Sequence, residues 1–283
     1  MTQLHLIRRV IKENVDKEIQ ELNRYARDIE KLPGEYQNQN ISMHNFSFYS
    51  ATDGKLKFYG NKEITIEEKY KFIVIHKNKQ YQWLLAEAFE EFEDFIENIY
   101  AYIGFKDNHL WLLGDFGNIT LDDLKIKDYA WFQEKSKNKK NVPQSMLERL
   151  RLVFPKIANL DTNNQLDVNL KLAIVLTENL RHVIVHKSGI VDSQDEFIKS
   201  TLQKAGLYNN GNPKAEDSKF IAQYFGTSEY ENYISLLEMT HRPYPNLAFE
   251  VNTNIFESLT NYLLAYADIC YEAIAEHFND QNL

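Results

Sequence analysis

Hydrophobic residues recur at three- and four-residue steps through Leu4, Ile7, Ile11, Val15, Ile19, Leu22, Ala26 and Ile29, with charges between them, until Pro33-Gly34. That spacing gathers the apolar positions on one side of a long helix, which the proline cannot continue. From Tyr36 to His76 the pattern changes. Residues 45–49, 55–59, 63–66 and 71–76 form short β-branched or aromatic pieces, separated by turn pairs such as Asp53-Gly54 and Gly60-Asn61. They predict a small antiparallel sheet, with His44 and His76 as ordinary strand residues.

Helical spacing returns over 83–103, where Leu85, Ala88, Phe89, Phe92, Phe95, Ile96, Ile99 and Ile103 make a wide apolar stripe. Glu87, Glu90, Glu91, Glu93, Asp94 and Glu97 fall mostly off it, as on a solvated face. Residues 107–128 predict no defined element. Their Gly114-Asp115-Phe116-Gly117 lacks the lysine and the strand-to-helix setting of a phosphate-binding loop. A short helix with Met146, Leu147, Leu150, Val153 and Phe154 carries Arg149, Arg151 and Lys156 until Pro155 disrupts it. Asp161-Thr162-Asn163-Asn164 supplies turn and cap chemistry before the next helix.

Residues 170–192 are the stretch around which the chain is organised. Ala173, Leu176, Leu180, Val183 and Ile184 cluster on one side of a helical wheel that ends at Gly189, a residue suited to a left-handed turn. Glu178, Arg181, His182 and His186 occupy much of the other side, among Ile174, Val175 and Val185. A polar group so mixed with apolar residues is expected to lie against a second surface, of this chain or of another copy. Glu178 and Arg181, three apart, are expected to pair there.

Beyond Asp192 the chain turns polar. Asn209-Asn210-Gly211-Asn212-Pro213 and His241-Arg242-Pro243-Tyr244-Pro245 are expected loops. Residues 252–278 form a closing helix with Ile255, Phe256, Leu259, Leu263, Tyr266, Ala267, Cys270, Ala273 and Ile274 on one side. The pattern predicts a mainly α chain. An antiparallel helical bundle over 77–283 follows an N-terminal helix plus small antiparallel sheet over 1–76.

Abundant Tyr and Phe with few Gly and Pro favour helices over a loop-rich sandwich. The single cysteine, Cys270, has no internal partner, which points to a reducing cytoplasm and a buried structural thiol. Met1-Thr2-Gln3-Leu4-His5 leads into a charged amphipathic stretch, so no secretory leader is expected. No run is apolar enough to span a bilayer, and no membrane partner is expected. The net charge of −9 disfavours tight nonspecific nucleic-acid binding, yet two basic patches stand out. One is Lys135, Lys137, Lys139 and Lys140, just after Trp131 and Phe132. It is either a flexible charged loop without a role or a segment that holds an RNA backbone by charge while an aromatic ring stacks on a base.

The other patch carries a resemblance. Arg181-His182-Val183-Ile184-Val185-His186, followed by Lys187, at the end of a long apolar helix resembles the R-x4-6-H motif of the HEPN superfamily, whose arginine is commonly followed by a polar residue. The resemblance implies a HEPN-like helical bundle and a metal-independent endoribonuclease without cofactors. It implies a homodimer through the motif helix, which forms a composite site, in a defence or toxin–antitoxin setting with an antitoxin or defence-system partner. It assigns phosphate contact to Arg181 and proton transfer or leaving-group stabilisation to His186. Glu178 would fix Arg181, His182 fills the polar position, and Lys187 adds charge toward RNA. Arg181 and His186 lie about 140° apart on a helix, so one copy alone converges them poorly on a phosphate.

Three other readings compete. The chain could be a non-catalytic HEPN-like module that binds RNA, a nucleotide or a protein partner. His182 and His186, four apart, have a zinc-site spacing, but no third ligand is apparent and Val183 stands where an H-E-x-x-H motif has glutamate. Both histidines could simply satisfy hydrogen bonds inside a helical interface.

Overall fold

A computed structural model describes residues 1–33, 41–43, 46–60, 62–140, 142–208, 213–241 and 251–279. The fold is mainly α with a small N-terminal β-containing segment. By compactness the chain divides into two units, residues 2–81 and residues 82–283 together with Met1.

In the first unit, α1 (Thr2–Glu30) follows the predicted course and buries Leu4, Val15, Leu22 and Ile29. Four short strands follow: β1 (Ile41–Met43), β2 (Phe46–Tyr49), β3 (Leu56–Tyr59) and β4 (Lys62–Ile64). They pair as two separate antiparallel ladders, β1 with β4 and β2 with β3, the latter turning at Gly54 with a positive φ. His44 and Asn45 lie outside the described residues.

The expected strand over 71–76 is instead part of α2 (Ile66–Lys106). Its start is fixed by a reciprocal cap: Glu68 N–H donates to Thr65 Oγ1 at 3.1 Å, and Thr65 N–H to Glu68 Oε2 at 2.9 Å. Such a Thr-x-x-Glu box satisfies two orphan donors and starts a helix regardless of the β-branched residues that follow. Ile73 thereby joins Val15 and Leu22 in a core flanked by Ile11, Ile19, Ile41 and Ile66.

The second unit begins within α2, whose predicted stripe residues Leu85, Ala88, Phe89, Phe92, Ile96, Ile99 and Ile103 are buried. Residues 107–128 hold two single 3-10 turns, Asn108–Leu110 and Leu113–Asp115, then α3 (Leu121–Lys125) capped by Thr120. This segment is pinned to α2 by Trp111, whose Nε1–H donates to the Tyr100 carbonyl at 2.7 Å while the two rings stack 5.1 Å apart. Gly104 makes room for the indole, since a Cβ there would come within 2.3 Å of it. Arg149 reaches back to donate to the Leu110 and His109 carbonyls at 2.6 and 3.0 Å.

The remaining helices are α4 (Tyr129–Lys137), α5 (Gln144–Val153), α6 (Pro155–Leu160), α7 (Leu170–Lys187), α8 (Gln194–Ala205), α9 (Ala215–Ala222) and α10 (Ile255–Phe278). Pro155 does more than stop α5: it occupies the first turn of α6, where its missing N–H costs nothing, and Lys156 belongs to that second helix. The polar reading after Asp192 overlooked α8, which Ser193 caps by accepting from Glu196 N–H at 3.3 Å. Strands β5 (Glu238–His241) and β6 (Val251–Asn254) pair antiparallel just before α10. Of the expected loops, residues 209–212 and 242–245 lie outside the described residues, whereas His241 ends β5, paired with Val251, and is not in a loop.

Helix α7 packs against α8 and α10, and α10 also against α6. Between them, Arg151 Nε donates to Asp161 Oδ2 at 2.8 Å, with its guanidinium 5.3 Å from the centre of the Tyr266 ring. Cys270 is fully buried, and burial pushes its thiol up to about 12.

Candidate functional site

Helix α7 starts where Asn169 Oδ1 accepts the Leu172 N–H at 2.9 Å, five residues after Asn164, the last of the turn residues expected to begin it. Its first turns are buried almost all round, with Leu172, Ala173, Ile174, Val175, Leu176 and Thr177 inaccessible. Ile174 and Val175 are thus core residues. The helix reaches the surface only in its last turns, where His182, Val185, His186 and Lys187 are exposed. It closes through Ser188 and Gly189, both with positive φ. A Cβ on Gly189 would come within 2.4 Å of Gln82 Oε1, and the Gln82 amide donates to the Ile234 carbonyl at 2.7 Å.

The emerging face brings some of the expected groups together and separates others. His182 and His186, one turn apart, hold their rings 4.7 Å apart between centroids. Arg181 turns away from them toward α2, where its Nη2 donates to Glu90 Oε1 at 3.0 Å. Its Nε is buried and has no hydrogen-bond partner among the described residues. The expected Glu178–Arg181 pair is not made. Glu178 accepts instead from Gln144 Nε2 of α5 at 2.6 Å, because Arg181 is drawn to a carboxylate on the neighbouring helix. Glu93 sits half-buried beside this group. Burial raises its carboxyl above the usual range, Arg181 opposes the rise, and the charges of Glu97, Glu178 and Glu90 add to it.

Electrostatics differ on the histidine side. The His182 imidazole is held below its ordinary value by partial burial first, then by the charges of His186, Lys204, Arg181 and Lys187. Lys187 is paired with Asp192. Lys204 of α8 has no carboxylate partner among the described residues. Its Nζ donates to Asn179 Oδ1 at 2.8 Å, and Asn179 Nδ2 donates to Thr201 Oγ1 at 2.9 Å, both of the latter buried. Sequence reasoning missed Lys204 and Glu90. The only trace of Lys204 was the polar Asn179, buried one turn before the motif, which needs partners.

The basic patch at 135–140 is not a flexible loop. Lys135 and Lys137 end α4, and Asn138 closes it, its side chain donating to the Glu134 carbonyl at 2.9 Å. Lys137 acts by charge on Glu97. Lys139 turns inward to a partly buried ion pair with Asp115 and stands over the Tyr100 ring. Lys135 stands over Trp131, 5.4 Å from the ring centroid. The helix continued because Tyr129, Phe132 and Ser136 recur at helical spacing, and Phe132 and Ser136 are buried.

Among the described residues no group of three or more His, Cys, Asp or Glu side chains is gathered as a metal site, and no helix is long and apolar enough to cross a membrane. No family model, curated protein or solved structure matches the chain.

Proposed function

We propose that the chain is a metal-independent endoribonuclease of the HEPN type, acting as a homodimer whose α7 helices form a composite site, in a defence or toxin–antitoxin setting. The observation that carries this reading is the clustering of chemistry where α7 surfaces: Arg181, two imidazoles 4.7 Å apart, and a lysine held by a neutral amide. Elsewhere α7 is ordinary apolar core.

His182, depressed below the usual imidazole range, is uncharged at neutral pH and suited to take the 2′-OH proton. The freed 2′-oxygen attacks phosphorus, and the bond to the 5′-oxygen breaks as His186 delivers a proton to it. The products are a 2′,3′-cyclic phosphate and a 5′-hydroxyl. Arg181 and Lys204 supply fixed positive charge to the non-bridging oxygens. Arg181 exchanges Glu90, whose side chain is more than half exposed, for the phosphate. Two motif helices crossing at a two-fold axis surround one phosphodiester with both copies' groups, which answers the divergence of Arg181 from the histidines within one copy.

Purified protein incubated with mixed RNAs in EDTA, beside its Arg181→Ala and His186→Ala forms, tests the reading. Cleavage by the wild type alone supports it. Equal cleavage by all three, or none by any, sinks it.

One observation favours a second reading, a non-catalytic module of the same resemblance that binds a protein partner. Arg181 is already ion-paired with Glu90, and Glu93 beside it feels the charges of Glu97, Glu178 and Glu90 as well, a local excess of negative charge that repels RNA. A dimer that binds neither RNA nor phosphate, and pulls down one basic protein through Glu90 and Glu93, would select that reading.

A further inference from the structure

The Gly114-Asp115-Phe116-Gly117 segment lacks a lysine in sequence, but the fold brings lysines to it. Lys139 pairs with Asp115 inside the unit, their side chains only 13% and 12% exposed, while the Tyr100 hydroxyl donates to the other Asp115 oxygen at 2.5 Å. Lys135 Nζ lies 3.5 Å from where a Cβ on Gly117 would sit, and Gly117 has a positive φ of 68°. A side chain there would be strained by the backbone conformation, while its Cβ would sit in ordinary contact with that amine. These groups, with Lys140 and Asn138, line a cavity of about 400 Å³ against Tyr100 and Trp111. A second cavity, of about 650 Å³, adjoins it at Lys135 and is walled by Trp131 and Phe116, with Lys127, Thr120 and Asp123. Both volumes fall in the range of small-molecule sites, about 300–1,000 Å³.

We propose that these joined cavities bind a nucleoside diphosphate, independently of the motif on α7. Lys127, Lys135, Lys139 and Lys140 face two carboxylates, Asp115 and Asp123, so the site is locally positive on a chain of net charge −9. Asp115 is occupied by Lys139 and Tyr100, and Asp123 accepts from the Thr120 hydroxyl at 2.6 Å, so both carboxylates are satisfied before a ligand enters. Lys135 is the hinge of the arrangement. Lys135 lines both cavities, its amine covers the Trp131 indole on the wall of the second, and on moving to a phosphate it uncovers an aromatic face on which a base stacks. Phosphate on the lysine side and base on the tryptophan side give one ligand both halves of the site. An RNA strand fits less well, because Lys139 points inward and Lys137 faces Glu97, leaving no open row of cations.

The test is calorimetric titration of the full chain with ADP, inorganic pyrophosphate and adenosine, with tryptophan fluorescence recorded in parallel. ADP should bind and quench fluorescence, and more tightly than pyrophosphate or adenosine. Lys135→Ala/Lys140→Ala, which leaves the partly buried Lys139–Asp115 pair intact, should weaken ADP at least about ten-fold per lysine lost, as expected for charge-assisted hydrogen bonds. Trp131→Phe should keep binding and remove most of the quench. No binding of ADP, or binding unchanged in the double variant, would overturn the proposal. So would a short oligoribonucleotide that needs the same lysines when ADP does not bind.

Discussion

Replacing Gly189 by alanine measures how tightly the end of α7 is set. Gly189 has φ of 73°, a region that costs an alanine about 1–2 kcal/mol. The new methyl would also fall within 2.4 Å of the Gln82 carboxamide, so Gln82 must leave the Ile234 carbonyl it holds at 2.7 Å, at a further cost of about 0.5–1.5 kcal/mol. The single variant should therefore lose roughly 2–3 kcal/mol. In a Gln82→Ala background the clash and that hydrogen bond are both gone, and Gly189→Ala should cost only its backbone strain. The two changes should thus couple by about 1 kcal/mol. Urea denaturation followed by tryptophan fluorescence is the assay. Trp83, Trp111 and Trp131 all lie in the unit formed by Met1 and residues 82–283, so the signal arises in the unit that holds Gly189 and Gln82. Additivity within about 0.5 kcal/mol, or a neutral Gly189→Ala, would refute the packing of Gln82 under the helix end.

Arg151→Met should cost about 3–5 kcal/mol in the same denaturation, because it strands a buried Asp161 carboxylate, whereas Arg151→Met/Asp161→Leu should recover much of the loss. Glu90→Gln frees Arg181 from its partner, so short-RNA affinity, read by fluorescence anisotropy, should rise several-fold while stability changes by less than about 1 kcal/mol, as for a surface ion pair; unchanged affinity would remove Arg181 from RNA contact. The folded-state depression of His182 means the unfolded chain binds the proton more tightly, so stability is fully present above the ordinary value of 6.5 and falls as pH drops through it toward the lower folded value. His182→Gln should shrink the stability loss between pH 7 and pH 5, and the His182 ring proton should titrate below 6.5 by NMR. Cys270, buried and pushed up to about 12, should not react with a thiol reagent at pH 8 until urea unfolds the chain; fast reaction in the native state would contradict its burial.

The long periodic elements were legible because burial and pattern coincide. Leu4, Val15, Leu22 and Ile29 repeat at helical spacing and are buried, as are Leu259, Leu263, Tyr266, Cys270 and Ile274 near the other end. The errors came where short-range capping outweighs composition. Residues 71–76 look like a strand, yet the Thr65–Glu68 box commits them to helix before their β propensity counts. Ser193 likewise starts α8 in a stretch that reads only as polar. For the candidate site, the sequence singled out Arg181, His182 and His186 but assigned the wrong carboxylate to Arg181. Local spacing favoured Glu178, while the partner chosen in space, Glu90, stands 91 residues away. Lys204 was hidden for the same reason, and the sequence singled out Lys135, Lys139 and Lys140 as a basic patch without showing that they meet the Gly114–Gly117 segment: each acquires its meaning from what packs beside it.

These misplaced cations suggest where an acidic chain can still receive an anion. Arg181, Lys187, Lys139, Lys156 and Arg151 each lie against a carboxylate, so an incoming phosphate must first compete with Glu90, Asp192, Asp115, Glu276 or Asp161. Lys204 and Lys135 are held differently. An amide oxygen orients the first and an indole face the second, and neither holder cancels a charge. A cation positioned by a neutral group keeps its full attraction for an anion; Lys204 has also already given up its rotamer freedom, so binding there costs less ordering, whereas Lys135 has to move off the indole. The two lysines sit on different helices, α8 beside the motif and α4 beside the glycine loop. The proposed nuclease chemistry at one and the proposed nucleotide binding at the other are therefore separable by single substitutions, and loss of one lysine leaves the charge of the other untouched.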